Sequence, residues 1–232
     1  MDERPFRGYT KKLLVMRIGI IAEGHSDRAV IENIIIGITG LDTSDFIPIR
    51  PQYDYDATDM AIKNPNTFSN WSIVREECIS RDKIEFFLGI EEQDFVVIHI
   101  DTAECSEYGV TRPVKGDNYC ELLRAAVKDK IDEWLEGNFT EQILHAIAVE
   151  ETDAWILAIY ENVNSEKYSR PKEKLKKVLG KRRINSSTTY DNYLLLSELL
   201  SKPRAIKKGE YLLLNCSLRL FYEEVQTKVK IP

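Results

Sequence analysis

The sequence lacks most of the patterns that would assign a protein to a compartment at once. Its four cysteines are scattered, and no two of them are spaced as CxxC. This disfavours a zinc knuckle and a disulfide framework, and we expect reduced thiols. No apolar run approaches the roughly 20 residues that a membrane-spanning helix needs, and the N-terminal residues MDERPFRGYTKK lack the apolar segment of a signal peptide. We therefore expect a cytoplasmic protein without a membrane partner.

Several catalytic motifs are missing as well. The chain contains neither GxxxxGKS nor GxxxxGKT, which disfavours a nucleoside triphosphatase, and a lone Gly24 does not form a dinucleotide-binding fingerprint. Chain order alone does not establish a Ser–His–Asp or Cys–His pairing. We expect His25 to lie in an exposed turn and His99 to be a hydrogen-bonded histidine of the core.

Positive charge is scarce in the first part of the chain and concentrated in the last. Residues 165–232 contain 16 Lys and Arg against 7 Asp and Glu, whereas the preceding residues contain 16 against 31. Such a division suits a protein that holds cations in one place and phosphates in another. The alternative is that solvated surfaces of opposite charge happen to segregate along the chain.

Apolar runs that suit strands alternate with stretches of helical periodicity. This order predicts an α/β fold with a mostly parallel sheet covered by helices over residues 13–162, followed by a basic helical extension over residues 165–232 packed on it. The predicted strands are Leu13–Ala22, Asp45–Arg50 near an edge, Phe95–Ile100 and His145–Val149. The predicted helices are one capped by Ser26 or Asp27, then Trp71–Phe87, Tyr119–Leu135, Ala154–Tyr160, one opened by Pro171, Tyr190–Leu200 and Glu210–Val225. Loops are predicted over residues 51–68 and 105–117.

Acidic residues follow three of the predicted strands. Because the carboxyl ends of parallel strands share one edge of a sheet, these acids should gather in one crevice. Carboxylates brought together repel one another unless a cation lies between them, and Mg²⁺ prefers such ligands. The acids are Glu23, then Asp101 and Glu104, then Glu150, Glu151 and Asp153.

Two of these stretches resemble a known family. "IAEGHSD" followed by "VVIHID" resembles the TOPRIM domain of topoisomerases, primases and OLD-type nucleases. Glu23 and Gly24 match its first motif, and Asp101 matches the first acid of its DxD motif. "VEETDAWILA" and "NCSLRLFYEEV" resemble small stand-alone TOPRIM-like proteins, including the RloB type, of bacterial defence islands. The resemblance covers residues 16–160 and, more loosely, the extension.

The resemblance implies a metal-dependent nuclease with a TOPRIM-like, Rossmann-like fold and a role in anti-phage defence. Glu23 and Asp101 would be catalytic, and Mg²⁺ or Mn²⁺ would be held by Glu23, Asp101, Glu104 and Glu150. DNA or RNA would be the partner, and the basic extension would bind its phosphate backbone. The residues predicted to make these contacts are Lys176, Lys177, Lys181, Arg182 and Arg183.

One departure from the family leaves alternatives open. The second acid of DxD would stand at position 103, which is Ala103. Glu104 or Glu107 could replace it, a single metal could suffice, or activity could be lost. In the last case the protein would be a regulatory subunit of an ATPase or another defence protein, and a homodimer is among the assemblies open to it. The local alternatives are that Ser26 or Asp27 is a helix cap, that Asp27 supports the metal ligands without being one, and that Glu150 only stabilises a helix start.

Overall fold

The computed structural model describes residues 16–51 and 70–230. Four strands form a sheet in the order β2-β1-β3-β4, and every neighbouring pair is parallel. The prediction of a parallel sheet with β2 at an edge is confirmed. The start of the first predicted strand, before residue 16, and the loop predicted over 51–68, from residue 52 onward, lie outside the described residues. The strands are β1 (Ile18–Ile21), β2 (Phe46–Arg50), β3 (Phe95–Asp101) and β4 (Ile143–Ala148).

Ten α-helices are described, and they cover both faces of the sheet. The helices of the α/β part are α1 (His25–Thr39), α2 (Asn70–Ser80), α3 (Asp82–Glu85), α4 (Tyr119–Trp134) and α5 (Asp153–Glu161). The helices of the extension are α6 (Pro171–Lys181), α7 (Tyr190–Leu196), α8 (Pro203–Lys207), α9 (Glu210–Leu214) and α10 (Cys216–Lys228).

The strands are buried on both faces because alternate side chains enter two separate cores. Val96, Ile98 and Ile100 of β3 join the core that contains α2 and α4. Val97, one position out of phase, joins the core that contains α1, α5 and the extension, where Phe221 is fully buried. This alternation follows from the two-residue period of a strand, and it explains why the strand runs are almost continuously apolar.

The extension lies directly against α1. Gly37 marks the closest approach, since a Cβ atom built there would lie 2.0 Å from the carbonyl oxygen of Leu200. Asn33, one turn earlier, donates hydrogen bonds of 2.8 Å to the carbonyl of Leu194 and to the hydroxyl of Ser197. A glycine on the helix face therefore lets two backbones touch where a larger residue would separate them.

Three predicted helices differ from the structure. The last one is broken at Asn215, whose side chain accepts a hydrogen bond of 2.8 Å from the backbone N–H of Leu218 and so begins α10 as a separate helix. The helix predicted to reach Leu200 ends at Leu196, and the 3₁₀ turn Glu198–Ser201 follows it. The helix predicted over 71–87 is interrupted at Arg81, whose φ is 62°.

The expected cap of α1 is also wrong. Gly24 occupies the N-cap position and no side chain caps the helix, which begins at His25. Asp27 therefore lies inside the first turn of α1. Its carboxylate is directed to the site described below instead of to the backbone of its own helix.

The strand order creates a reversal in the middle of the sheet. The chain passes from β1 to β2 on one side, and β3 then lies on the other side of β1. In open parallel sheets, ligands bind outside the carboxyl ends of the strands where the order reverses. Here that place lies between the ends of β1 and β3.

In the part of the chain that the structure describes, no helix combines the length and the apolar character required to cross a lipid bilayer.

Candidate metal centre at the carboxyl edge of the sheet

Glu23 and Asp101 meet between the ends of β1 and β3. Ile21 is in register with Ile98, so both strands end at the same level of the sheet. The Oε1 atom of Glu23 accepts a hydrogen bond of 2.7 Å from the backbone N–H of Asp101. The structure thus brings the two predicted catalytic residues together at the reversal of strand order.

The turn after β4 holds the carboxylate of Asp101. Its Oδ1 atom accepts hydrogen bonds from the backbone N–H of Thr152 at 3.0 Å and from the hydroxyl of Thr152 at 3.2 Å. It also lies 3.4 Å from Nε2 of His99. The Oδ2 atom of Asp101 and the Oε2 atom of Glu23 have no hydrogen bond to any described residue. Each carboxylate is thus fixed through one oxygen and keeps the other available.

His99 is the cation of this cluster. Burial alone would lower the pKa of His99, but Asp101, Asp27 and Glu23 together raise it to about 9. Nε2 lies 2.8 Å from the hydroxyl of Thr152, which accepts a hydrogen bond from the protonated imidazole and donates one to Asp101. The predicted burial of His99 is confirmed, but its Nδ1 atom has no hydrogen-bond partner among residues 16–51 and 70–230. The expectation of a fully bonded core histidine is therefore only half right.

Two further carboxyl groups, from Asp27 and Asp153, adjoin the pair. The side chain of Asp27 keeps some exposure, yet the atoms packed around it remove most of its solvation. This desolvation and the charge of Asp101 raise the pKa of Asp27 to about 6 against the influence of His99. Asp153 is 5 % exposed and accepts a hydrogen bond of 2.6 Å from the hydroxyl of Tyr193.

The pKa values show how strongly these groups resist ionising together. Burial, with the charges of Asp27 and Asp101, raises the pKa of Asp153 to about 7 although Tyr193 lowers it. Burial and Asp101 likewise raise the pKa of Glu23 well above its usual range. Desolvation and like charge are the two causes, and either a proton or a metal cation relieves both.

The donor set fits Mg²⁺ or Mn²⁺ held by few protein ligands. Mg²⁺ is commonly bound through one or two carboxylates and keeps several waters, and the available oxygens of Glu23 and Asp101 match that number. The described residues at this edge of the sheet do not enclose an ion with three or more protein ligands. Among the described residues, the one set of three potential ligand atoms within 4.8 Å of one another is Cys120, Glu121 and Cys216.

Glu104 and Glu150 occupy different surroundings from the pair. Glu104 lies exposed in the turn that follows β3, next to the exposed Ala103. Glu150 is held by Arg112, whose Nη1 and Nη2 atoms lie 2.7 and 3.1 Å from its two oxygens. Arg112 also donates to the carbonyls of Thr102 at 2.8 Å and Ala103 at 3.0 Å. Both of Glu150's oxygens are therefore engaged by a cation of the protein itself.

Of the five predicted basic residues, Lys176 lies beside the acidic cluster. A cleft of 570 Å³ is lined by Asp153 and Tyr193 on one side and by Lys172 and Lys176 of α6 on the other. Lys172, which was not among the five, also lowers the pKa of Asp153. The positive charge of α6 thus borders the same cleft as the carboxyl groups.

The other four basic residues lie further along α6 or just beyond it. Lys177, Lys181 and Arg183 are exposed. Arg182 is also exposed, but it donates a hydrogen bond to the carbonyl of Tyr160 and lies over that residue's ring. Whether these four contact nucleic acid stays a prediction.

The sequence interpretation missed two residues of the site and did not recognise the place of two others. Thr152 and Arg112 gave no signal, because a threonine in a turn and an arginine in a loop are ordinary surface residues. Asp27 was interpreted as a cap or as a residue that supports the metal ligands, although its position four residues after Glu23 on a strand-to-helix turn was a signal for a place in the acidic cluster itself. The two-residue period of β3 was a usable signal that His99 lies on the same face as Asp101, but nothing in the strand pattern indicated that Glu23 would lie beside them.

No protein-family model matches the chain, and no curated protein or solved structure matches it either. The likeness to TOPRIM proteins therefore rests on the short motifs around Glu23 and Asp101 and on the stretches 149–158 and 215–225.

Proposed function

We propose that the protein is a Mg²⁺- or Mn²⁺-dependent nuclease that hydrolyses phosphodiester bonds in DNA or RNA. The observation that carries this proposal is the pairing of Glu23 with Asp101 at the reversal of strand order, with one available oxygen on each. Buried acids so close together reduce stability unless a proton or a cation neutralises them, and acids with such raised pKa values are common at functional sites. A divalent cation accounts for the cluster better than a purely structural role does.

Glu23 and Asp101 would have different roles in the reaction. Asp101, fixed by Thr152, would hold the metal, and Glu23 would be its second ligand or take the proton of the attacking water. A general base works best with a pKa near the working pH, and the raised pKa of Glu23 moves in that direction. When bound, the metal would polarise the phosphoryl oxygen and stabilise its developing charge. His99 would limit the net negative charge that the phosphate meets.

The substrate would reach the site along the cleft between Asp153 and α6. Lys172 and Lys176 border this cleft and would neutralise backbone phosphates, so binding should weaken as salt is added. The resemblance of the sequence motifs to those of defence-island proteins supports a role in anti-phage defence, and the scattered cysteines support a cytoplasmic location. The same resemblance also supports an ATPase as a partner.

A second candidate is a catalytically degenerate subunit that regulates such a partner. Two observations favour it, namely that Ala103 stands where the family places its second acid and that Arg112 already occupies both oxygens of Glu150. Binding of metal separates the two candidates, because a regulatory subunit needs neither the metal nor a cleavable substrate.

Incubation with supercoiled plasmid, single-stranded DNA and total tRNA tests the proposal, with Mg²⁺, Mn²⁺ or EDTA. Cleavage should require metal and be lost in Glu23→Gln and Asp101→Asn. It should persist in Asp129→Asn, which removes an exposed charge on α4. Cleavage that survives both site variants would place the activity elsewhere, and a wild-type protein that neither binds metal nor cleaves any substrate would favour the regulatory subunit.

A further inference from the structure

A second set of metal-ligating side chains lies where α4 meets α10. The Sγ atoms of Cys120 and Cys216 and a carboxylate oxygen of Glu121 lie within 4.8 Å of one another. Cys120 belongs to the α/β part and Cys216 to the extension, so the fold brings together two cysteines that are far apart in the chain. The scattered cysteines of the sequence gave no indication of this.

A second carboxylate is held at the same place. The Oε1 atom of Glu166 accepts a hydrogen bond of 3.2 Å from the thiol of Cys120 and one of 2.6 Å from the backbone N–H of Ser217. Glu166 and the two cysteines line an open cleft of 480 Å³. Cys120 is 6 % exposed at its wall, so an ion could enter from solvent and reach both thiols.

In the metal-free protein, the hydrogen bond to Cys216, burial and the charge of Glu166 raise the pKa of the Cys120 thiol. A bound cation has to offset these effects, and two features of the site act in the same direction as such a cation. Cys120 is the second residue of α4 and Cys216 is the first residue of α10. The partial positive charge of a helix N-terminus stabilises thiolates. The guanidinium of Arg219 also lies 3.4 Å from Sγ of Cys216. A thiolate is the form in which cysteine binds metals.

We propose that Cys120, Cys216 and Glu121 bind one Zn²⁺ ion per chain, with Glu166, which accepts a hydrogen bond from the thiol of Cys120, as the candidate fourth ligand. Two thiolates and carboxylate oxygens are ligands that Zn²⁺ accepts in a tetrahedral site, whereas Mg²⁺ avoids sulfur. The ion would replace the thiol protons and tie α10 to α4. This inference is independent of the proposed nuclease activity, because its ligands are separate from Glu23 and Asp101.

Titration of the reduced full-length protein with Co²⁺ tests the inference. Cobalt in a thiolate site gives charge-transfer absorption in the near ultraviolet and d–d bands in the visible, which Zn²⁺ should abolish by displacement. Cys120→Ser and Cys216→Ser should each weaken binding by more than the roughly 10- to 100-fold that loss of an outer-shell partner causes. Cys78→Ala, which changes a buried cysteine outside the cluster, should bind cobalt like the wild type.

Two results would overturn the inference. One is a wild-type spectrum without thiolate charge transfer under reducing conditions. The other is an air-formed Cys120–Cys216 disulfide in a protein whose reduced form does not bind Zn²⁺. Asp101→Asn should keep the cobalt spectrum, so that failure of the nuclease proposal can be told apart from failure of this one. Because the wild-type spectrum is itself decisive, a variant that misfolds does not prevent the test.

Discussion

Replacement of Asp153 by asparagine should stabilise the metal-free protein at neutral and alkaline pH. Asparagine has the same shape and can still accept the 2.6 Å hydrogen bond from Tyr193, but it cannot ionise. The native carboxyl is 5 % exposed, and its ionisation is opposed by burial and then by Asp27 and Asp101. The substitution therefore removes an unfavourable charge and keeps the packing.

The magnitude follows from the pKa of Asp153, which burial raises from 3.8 to about 7. Between these values the folded protein keeps a proton that the unfolded chain releases, so the free energy of unfolding falls as pH rises. Each pKa unit corresponds to 1.36 kcal/mol, which sets an upper limit of roughly 4 kcal/mol. Relaxation of the site makes the effect smaller than this limit. We expect Asp153→Asn to raise the free energy of unfolding by about 2–4 kcal/mol at pH 8 and to leave it almost unchanged at pH 4.

Urea unfolding in EDTA across this pH range measures the effect. Asp129→Asn serves as the control, since it removes an exposed charge and should change stability by at most about 0.5 kcal/mol. Mg²⁺ should reduce the difference in free energy of unfolding between the wild type and Asp153→Asn, because the cation relieves the same repulsion between carboxylates. An equal difference in free energy of unfolding at pH 4 and pH 8, or a variant less stable than the wild type at pH 8, would refute the claim that ionisation of Asp153 destabilises the protein.

Two further predictions concern stability. Gly37→Ala should destabilise the protein by at least about 2 kcal/mol, because the clash with the Leu200 carbonyl outweighs a helix-propensity gain of about 1 kcal/mol. A Cβ atom at position 180 would have no atom within 4 Å. Gly180→Ala should therefore raise the free energy of unfolding by up to about 1 kcal/mol, measured by thermal unfolding. Burial would raise the pKa of Glu224, but His145 and Arg124 lower it to about 2. Its contribution of roughly 3 kcal/mol is therefore present at neutral pH and disappears as pH falls from about 4.5 toward 2, and Glu224→Gln should lose it at pH 7.

Each of these predictions has a clear contrary outcome. Equal changes in the free energy of unfolding for alanine at positions 37 and 180 would mean that the extension does not pack against α1 as closely as in the structure. A stability difference between wild type and Glu224→Gln that persists unchanged at pH 2.5 would show that the glutamate acts by packing and not by charge.

Much of the fold was predictable from local pattern. β3 and α4 were found with boundaries within one residue, because a buried strand and an amphipathic helix each have their own period. The breaks at Arg81 and Asn215 were missed, since both neighbouring segments keep helical periodicity and the interruption depends on one residue's backbone angle or side-chain bond. The cap of α1 was missed because Ser26 and Asp27 have the composition of a cap while Gly24 occupies the position.

The sequence by itself determined that acids follow buried parallel strands, and hence that Glu23 and Asp101 would reach one edge of the sheet. It could not determine the strand order, which depends on which hydrophobic faces pack together across long stretches of chain. That order put β1 beside β3 and so placed the two acids in contact. The tertiary structure also decided that Arg112 neutralises Glu150, that His99 lies under the acids, and that Cys120 meets Cys216. The contact of His99 with Asp101 follows from the two-residue period of one strand. Its contact with Thr152 and its charge interaction with Glu23 join distant segments. The pairs of Arg112 with Glu150 and of Cys120 with Cys216 do so as well, and all of these are fixed by packing and not by any local period.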